Sequence, residues 1–393
     1  MRIAFILIGN SRRSNYLDGE TLRYGNGGGS GTDGSTIIVA EQLALHGHEV
    51  VVTHDKLEPL LEQAYAKEGI HFVPGKKVRN VTYTNIQFDG VENKIFDVLV
   101  SSLWFDKYDS LPIKTTQAVI YWCHMQWMYG SGELIKYVTD NNLKLGIVNI
   151  SQWEKSINQL TIDYITNKVK KSKVDTIPNP VMDDIITQVL QTNPVKKPHK
   201  FVFHALWARG GNVAIEAIRQ LNLPDKELHA FDYLMCIHGH EDNFFHLHNG
   251  VDKKTLFTSI AESEYFIYPL YTPYKDVHKD TFSCAVAEAI ALGTIVITYP
   301  LGALPQYYNG YCEWLDFPEG VNPATMQTEA LSKDEEGRFM CTKNIIDKIN
   351  YLEAHPEVKE QYREAGKKYI LESFNADKVG KMWGKYINEL ISL

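Results

Sequence analysis

The sequence predicts an α/β protein built as two parallel-sheet domains of similar size. Three observations predict it. The chain has 393 residues, 44% of them apolar, more than one ordinary core takes up and enough for two. Short continuous apolar runs alternate with segments of helical periodicity, the pattern of strands covered on both faces by helices. The alternation stops at a pair of prolines, Pro178 and Pro180, and then starts again.

Arg2–Ile8 reads as a buried first strand, because its apolar run is too short to span a bilayer and no small-residue cleavage site follows it. Ser35–His46 carries helical spacing through Ile37, Ile38, Ala40, Leu43 and Leu45, Gly47 supplies a C-cap, and His48–Thr53 returns as a strand. Phe96–Leu103, Ala118–Trp122 and Leu145–Ile150 are further strands. Thr176–Val181 is stiffened by its two prolines and marks the domain boundary. Beyond a polar stretch, Lys200–Leu206, Leu234–His238, Glu264–Leu270 and Thr294–Thr298 read as strands. Asn212–Gln220, Lys253–Ala261 and Cys284–Leu292 read as the helices between them. The last helix has one apolar stripe: Val379, Met382, Trp383, Tyr386, Ile387, Leu390 and Ile391.

A net charge of −8 speaks against a dedicated nucleic-acid binder, which normally carries a basic excess. The five cysteines are scattered and odd in number, as in a reducing, cytoplasmic compartment. No apolar run reaches the ~20 residues of a membrane span, which leaves peripheral membrane contact open.

The densest chemistry lies in Lys279-Asp280-Thr281-Phe282-Ser283-Cys284-Ala285-Val286-Ala287-Glu288. A helix starting near Ser283 offers free N–H groups and partial positive charge, a seat for a diphosphate. Asp280 precedes that helix start, and Glu288 stands roughly 7.5 Å further along the axis, so hydroxyls on either side of a diphosphate would each meet a carboxylate. The same spacing also suits a plain helix cap and a salt-bridged surface glutamate. Gly29, Gly31 and Gly34 satisfy GxGxxG, but about 20 residues separate them from the first strand, against the dinucleotide fingerprint. They read either as a loop or as a close approach to phosphate or sugar. His124 sits between Trp122 and Trp127 at a strand end, a structural histidine or a sugar contact. Arg209 lies in a strand-to-helix turn, either in a surface ion pair or on a phosphate. His238, His240, His246 and His248 form two HxH pairs without a fixed ligand set, and no metal is expected.

Taken in order, these segments resemble the GT-B glycosyltransferases, in particular the retaining family 4 type. The likeness covers nearly the whole chain: Ser30-Gly31, Asp33, Leu43-Ala44 and Gly47-His48-Glu49-Val50 near the start, Ile177-Pro178-Asn179-Pro180-Val181 at the joint, and Leu270, Asp280, Phe282 and Glu288 in the family's two-carboxylate element. The resemblance implies two Rossmann-like parallel-sheet domains facing a central cleft: residues 1–178 on the acceptor side, 179–374 on the donor side, and 375–393 a helix packing back on the first. It implies transfer of a sugar from a UDP- or GDP-linked donor to an acceptor hydroxyl on a glycan, lipid or protein, with no further cofactor. Asp280, His124 and Arg209 would be catalytic. Gly29, Gly31, Phe282, Ser283, Cys284 and Glu288 would hold the donor, Glu288 on its ribose. Asp280 stands where the family has Glu, Ser283 stands where Gly is common, and of the two basic residues usual at the phosphate only Arg209 is clear, with Lys275, Lys279 and His204 as weaker matches. A glycoside hydrolase and a sugar-binding module without turnover are the competing readings.

Overall fold

The computed structural model describes residues 1–7, 18–25, 30–54, 72–102, 110–128, 130–205, 207–232, 242–270, 279–317 and 335–393. The chain divides into two compact units, unit 1 of Met1–Pro180 with Phe374–Leu393, and unit 2 of Val181–Ser373. Among the described residues no helix is long and apolar enough to cross a membrane.

Among the described residues unit 1 has eight strands: β1 Arg2–Leu7, β2 Glu49–His54, β3 Lys76–Val78, β4 Val81–Asn85, β5 Ile95–Ser102, β6 Lys114–Trp122, β7 Lys144–Asn149 and β8 Ser172–Thr176. Their order is β3-β4-β2-β1-β5-β6-β7-β8, parallel throughout except that β3 runs antiparallel to β4. Ile3, Ala4, Phe5 and Ile6 have no exposed surface, as a strand buried on both faces requires. The helix Gly31–Leu45 begins at a capping box: Ser30 Oγ accepts from the Asp33 amide, and the Asp33 carboxylate accepts from the Ser30 amide. Gly31 is thus the first residue of a capped helix.

The apolar stripe of the helix Ala376–Ile391 lies on unit 1. Val379, Trp383, Tyr386, Ile387 and Leu390 are buried, each worth about 1.5–3 kcal/mol against exposure. Trp383 meets Phe5 and Trp122 edge-on, at 6.5 Å and 4.5 Å between ring centres. Two glycines permit the close approach: a Cβ on Gly380 would lie 2.4 Å from Gln42 Cβ, and one on Gly146 2.7 Å from Tyr386 Oη.

Among the described residues unit 2 has six strands, β9 Lys197–His204, β10 Glu227–Asp232, β11 Phe245–Asn249, β12 Ser263–Tyr268, β13 Ile295–Thr298 and β14 Cys312–Trp314. They are ordered β11-β10-β9-β12-β13-β14 and all parallel. The order reverses between β9 and β12, and in such open sheets ligands gather beyond the carboxyl ends of the strands at that switch point. The expected strand Leu234–His238 lies outside the described residues. Of the expected joint, Ile177, Asn179 and Val181 are buried, so this proline-rich passage is held by packing.

Candidate functional site

Beyond the carboxyl ends of β9 and β12, Arg209 and Asp280 come together. After β9 the chain makes one 3-10 turn, Trp207–Arg209, then passes through Gly210 at φ 110° into the helix Gly211–Gln220. A Cβ on Gly211 would stand 2.2 Å from the Trp207 ring, so the glycine pair is a steric requirement of this turn. The turn aims Arg209 at Asp280: its Nη1 donates to Asp280 Oδ1 at 2.7 Å and to Tyr268 Oη at 2.6 Å. Tyr268, the last residue of β12, donates its own hydroxyl to Asp280 Oδ2 at 2.6 Å. Burial pushes the Tyr268 phenol up, with Arg209 pulling the other way, so the hydroxyl keeps its proton and remains a donor. The Asp280 side chain is 7% exposed and that of Arg209 29%. Arg209 is therefore the more exposed member of this pair.

Asp280 is also fixed by its backbone. Its carbonyl accepts from the Ala303 amide at 2.8 Å. Gly302, at φ 63°, passes so close that a Cβ there would lie 2.3 Å from that carbonyl oxygen.

Ser283 has φ 62° and ψ 83° and caps the helix Cys284–Ala291 without a side-chain bond to it. That left-handed conformation strains a residue with a Cβ and accounts for the glycine expected at this position. Tyr308 holds the turn, its hydroxyl donating to the Phe282 carbonyl at 2.8 Å. Phe282 is buried, its ring edge-on to Tyr307 at 5.0 Å. The peptide before the helix is thereby pinned while Cys284, half-buried, opens the helix with its N–H groups unspent by helical bonding.

Glu288 is buried in the same helix, and Lys253 Nζ lies 3.7 Å from its Oε2. Burial pushes the Glu288 carboxyl up, and the ammonium of Lys253 draws it back. Lys253 opens the helix Lys253–Glu262, which Asp252 caps by accepting from the Thr255 amide at 2.9 Å. Reading the sequence misses Lys253 and Tyr268. The Asp252 cap is the one local signal for the former, and nothing local marks the latter.

In unit 1, His124 is 8% exposed and its ring lies 4.5 Å from that of Trp122. Burial holds its imidazole down to about 3, so it is neutral at ordinary pH. Gly29 and Lys275 lie outside the described residues, as do His238 and His240.

Several solved structures resemble this chain over its whole length. Sucrose-phosphate synthase from Thermosynechococcus elongatus superposes with a TM-score of 0.63 at 12% identity, covering 100% of this chain and 99% of that one. HepE from Anabaena, in complex with UDP-glucose, gives 0.56 at 12% identity, covering 100% of both chains. The catalytic domain of Starch Synthase IV from Arabidopsis thaliana, bound to ADP and acarbose, gives 0.54 at 11% identity, covering 100% and 99%. The fold is GT-B. At these identities the likeness carries the GT-B architecture and not a substrate. No protein-family model matches the chain, and neither does any curated protein.

Proposed function

We propose that the protein is a glycosyltransferase that moves a sugar from a nucleoside diphosphate sugar, UDP- or GDP-linked, to an acceptor hydroxyl on a glycan, with retention of configuration. The observation that carries this is the Arg209–Tyr268–Asp280 group standing beside a helix N-terminus at the switch point of unit 2. A departing diphosphate needs stabilised negative charge, and a preorganised guanidinium with helix-end amides supplies it without reorganisation. In this reading the amides of Ser283 and Cys284 cradle the diphosphate and Arg209 takes the charge that develops on it. Glu288 accepts from the ribose hydroxyls and Lys253 keeps that carboxylate charged. Both Asp280 oxygens already accept one bond each, and a carboxylate has about four acceptor sites, so a sugar hydroxyl shares Asp280 with Arg209 and Tyr268. A β-phosphate oxygen assists deprotonation of the acceptor. By the family resemblance His124 is a catalytic residue and Gly31 a donor contact, and unit 1 takes the acceptor. The resemblance to the family 4 motifs supports retention, and the absence of a disulfide among the described cysteines Cys123, Cys284, Cys312 and Cys341 agrees with a reducing, cytoplasmic compartment.

The test is a panel of nucleotide sugars with mixed glycan, lipid and peptide acceptors, read by mass spectrometry. Arg209→Ala and Glu288→Ala should each cut turnover at least ~10-fold. Unchanged transfer in both variants would defeat the assignment. A second reading, donor binding without transfer, draws on Asp280 being occupied by two protein donors. Tight nucleotide binding with neither transfer nor donor hydrolysis would favour it. Hydrolysis of an aryl glycoside with no nucleotide present would favour a glycosidase, whose two carboxylates must face one bond. Asp280 and Glu288 instead have separate partners.

A further inference from the structure

The outer strands of the unit 2 sheet carry a cluster that donor chemistry does not use. β10 and β11 pair in parallel with His229 opposite His246 and Phe231 opposite His248. Side chains alternate along a strand, so Glu227, His229 and Phe231 share one face with His246 and His248. The rings are in contact: His229 lies 4.8 Å from His246 and 5.1 Å from His248, centre to centre. His229 is bonded at both nitrogens, its Nε2 to Glu227 Oε2 at 3.1 Å and its Nδ1 to His248 Nε2 at 2.9 Å. Ligand atoms of Glu227, His229 and His246 all lie within 4.8 Å of one another.

We propose that Glu227, His229 and His246 form a binding site for a divalent transition-metal ion of the zinc class, with His248 orienting His229 from behind. Tetrahedral zinc at 2.0–2.2 Å from its ligands sets them about 3.3–3.5 Å apart. The Glu227–His229 pair already has nearly that spacing, and His246 closes the remainder by side-chain rotation. The ion takes the place of the proton between Glu227 and His229 Nε2. His229 Nδ1–H then donates to His248 Nε2, the second bond that fixes tautomer and ring plane in metal-bound histidines. β11 is the edge strand and the Glu227 side chain is 46% exposed, so an ion enters from solvent and a water completes the fourth position. The site is independent of the donor chemistry, since none of these residues touches Arg209, Asp280 or Glu288 through any bond described above.

The experiment uses the full chain, stripped with a chelator and dialysed, then titrated with zinc chloride by calorimetry. Bound metal is counted by mass spectrometry, and cobalt(II) absorption reports coordination. The expected result is one tightly held ion per chain with tetrahedral cobalt bands. His229→Ala and Glu227→Gln should remove that ion, and His248→Ala should weaken it 10–100-fold. His355→Ala, which breaks a His–Glu pair elsewhere, should leave it unchanged. Glu227→Gln decides the matter if His229→Ala fails to fold, because its side chain is half-exposed. Absence of zinc binding by the wild-type chain, or binding as tight as wild type in His229→Ala or Glu227→Gln, would overturn the proposal and leave the rings a structural stack.

Discussion

Tyr268→Phe is the sharpest probe of the donor group, because it removes one oxygen and keeps the ring. That oxygen stands 2.6 Å from Arg209 Nη1 and 2.6 Å from Asp280 Oδ2. The Arg209–Asp280 ion pair at 2.7 Å survives, but a carboxylate only 7% exposed loses its second donor. A hydrogen bond to a charged partner is worth about 1.5–3 kcal/mol. A domain the size of unit 2 loses about 2–4 °C of melting temperature per kcal/mol, so the unit 2 transition should fall by about 3–12 °C in scanning calorimetry. Arg209 also loses a contact that holds its guanidinium in place, and turnover should drop at least ~10-fold, since misplacement by an ångström costs about that much or more. A variant melting within about 1 °C of wild type, with undiminished turnover, would refute the claim that this triad is preorganised for catalysis.

Gly302→Ala should lower both stability and donor affinity. The left-handed backbone costs about 1–2 kcal/mol, and the new Cβ, 2.3 Å from the Asp280 carbonyl, must displace that residue. Isothermal titration with a nucleotide sugar checks it, and unchanged affinity would count against it. Ser283→Gly should hold or raise the melting temperature, by up to about 1 kcal/mol of relieved strain at φ 62°, whereas Ser283→Val should lower it. His124 makes the fold acid-sensitive. Its folded value of about 3 lies below the unfolded value near 6.5, so the unfolded chain takes up a proton that the folded one refuses. The full stability is present above about pH 6.5 and is lost progressively as pH falls towards 3, about 2 kcal/mol being gone at pH 5. Urea titrations at pH 7 and 5 should show that gap shrinking by the same amount in His124→Asn, and an unchanged gap would exclude this origin. Lys253→Met should weaken nucleotide binding about 10-fold or more, because a buried Glu288 without its cation is pushed towards the neutral acid.

The strands β1, β2, β5, β6, β7, β9, β12 and β13 were legible because burial on both faces leaves no room for polar residues in runs such as Ile3–Ile6 and Ile295–Ile297, whereas the parallel strands β4, β8, β11 and β14, short or bearing polar residues, were not read. The β3–β4 hairpin was not. Its two-residue turn places Arg79 and Asn80 at φ 47° and 67°, a geometry that Asn-Gly normally announces and that Arg conceals. β10, Glu-Leu-His-Ala-Phe-Asp, has polar residues at 227, 229 and 232, so it shows neither a continuous apolar run nor a strict alternation and was not read as a strand. In the site, Asp280, Ser283 and Glu288 share one local pattern and could be read from it. Arg209 was visible as a turn residue, but its pairing with Asp280 was not. Tyr268 and Lys253 reach the site from a strand end and a separate helix, and only the folded sheet brings them there. The glycines at 211 and 302 have no motif at all, since each is required by a neighbour, Trp207 in one case and the Asp280 backbone in the other.

The most direct measurement is a thermal-shift titration of the wild-type chain and Glu288→Ala with UDP, GDP, ADP and their sugar conjugates. At 100 times its dissociation constant a true donor adds about 2.7 kcal/mol of stability. The account predicts a clear upward shift for at least one nucleotide with the wild type and little or none with Glu288→Ala. A wild-type chain indifferent to every nucleotide in the panel, or shifted equally with and without Glu288, would contradict it.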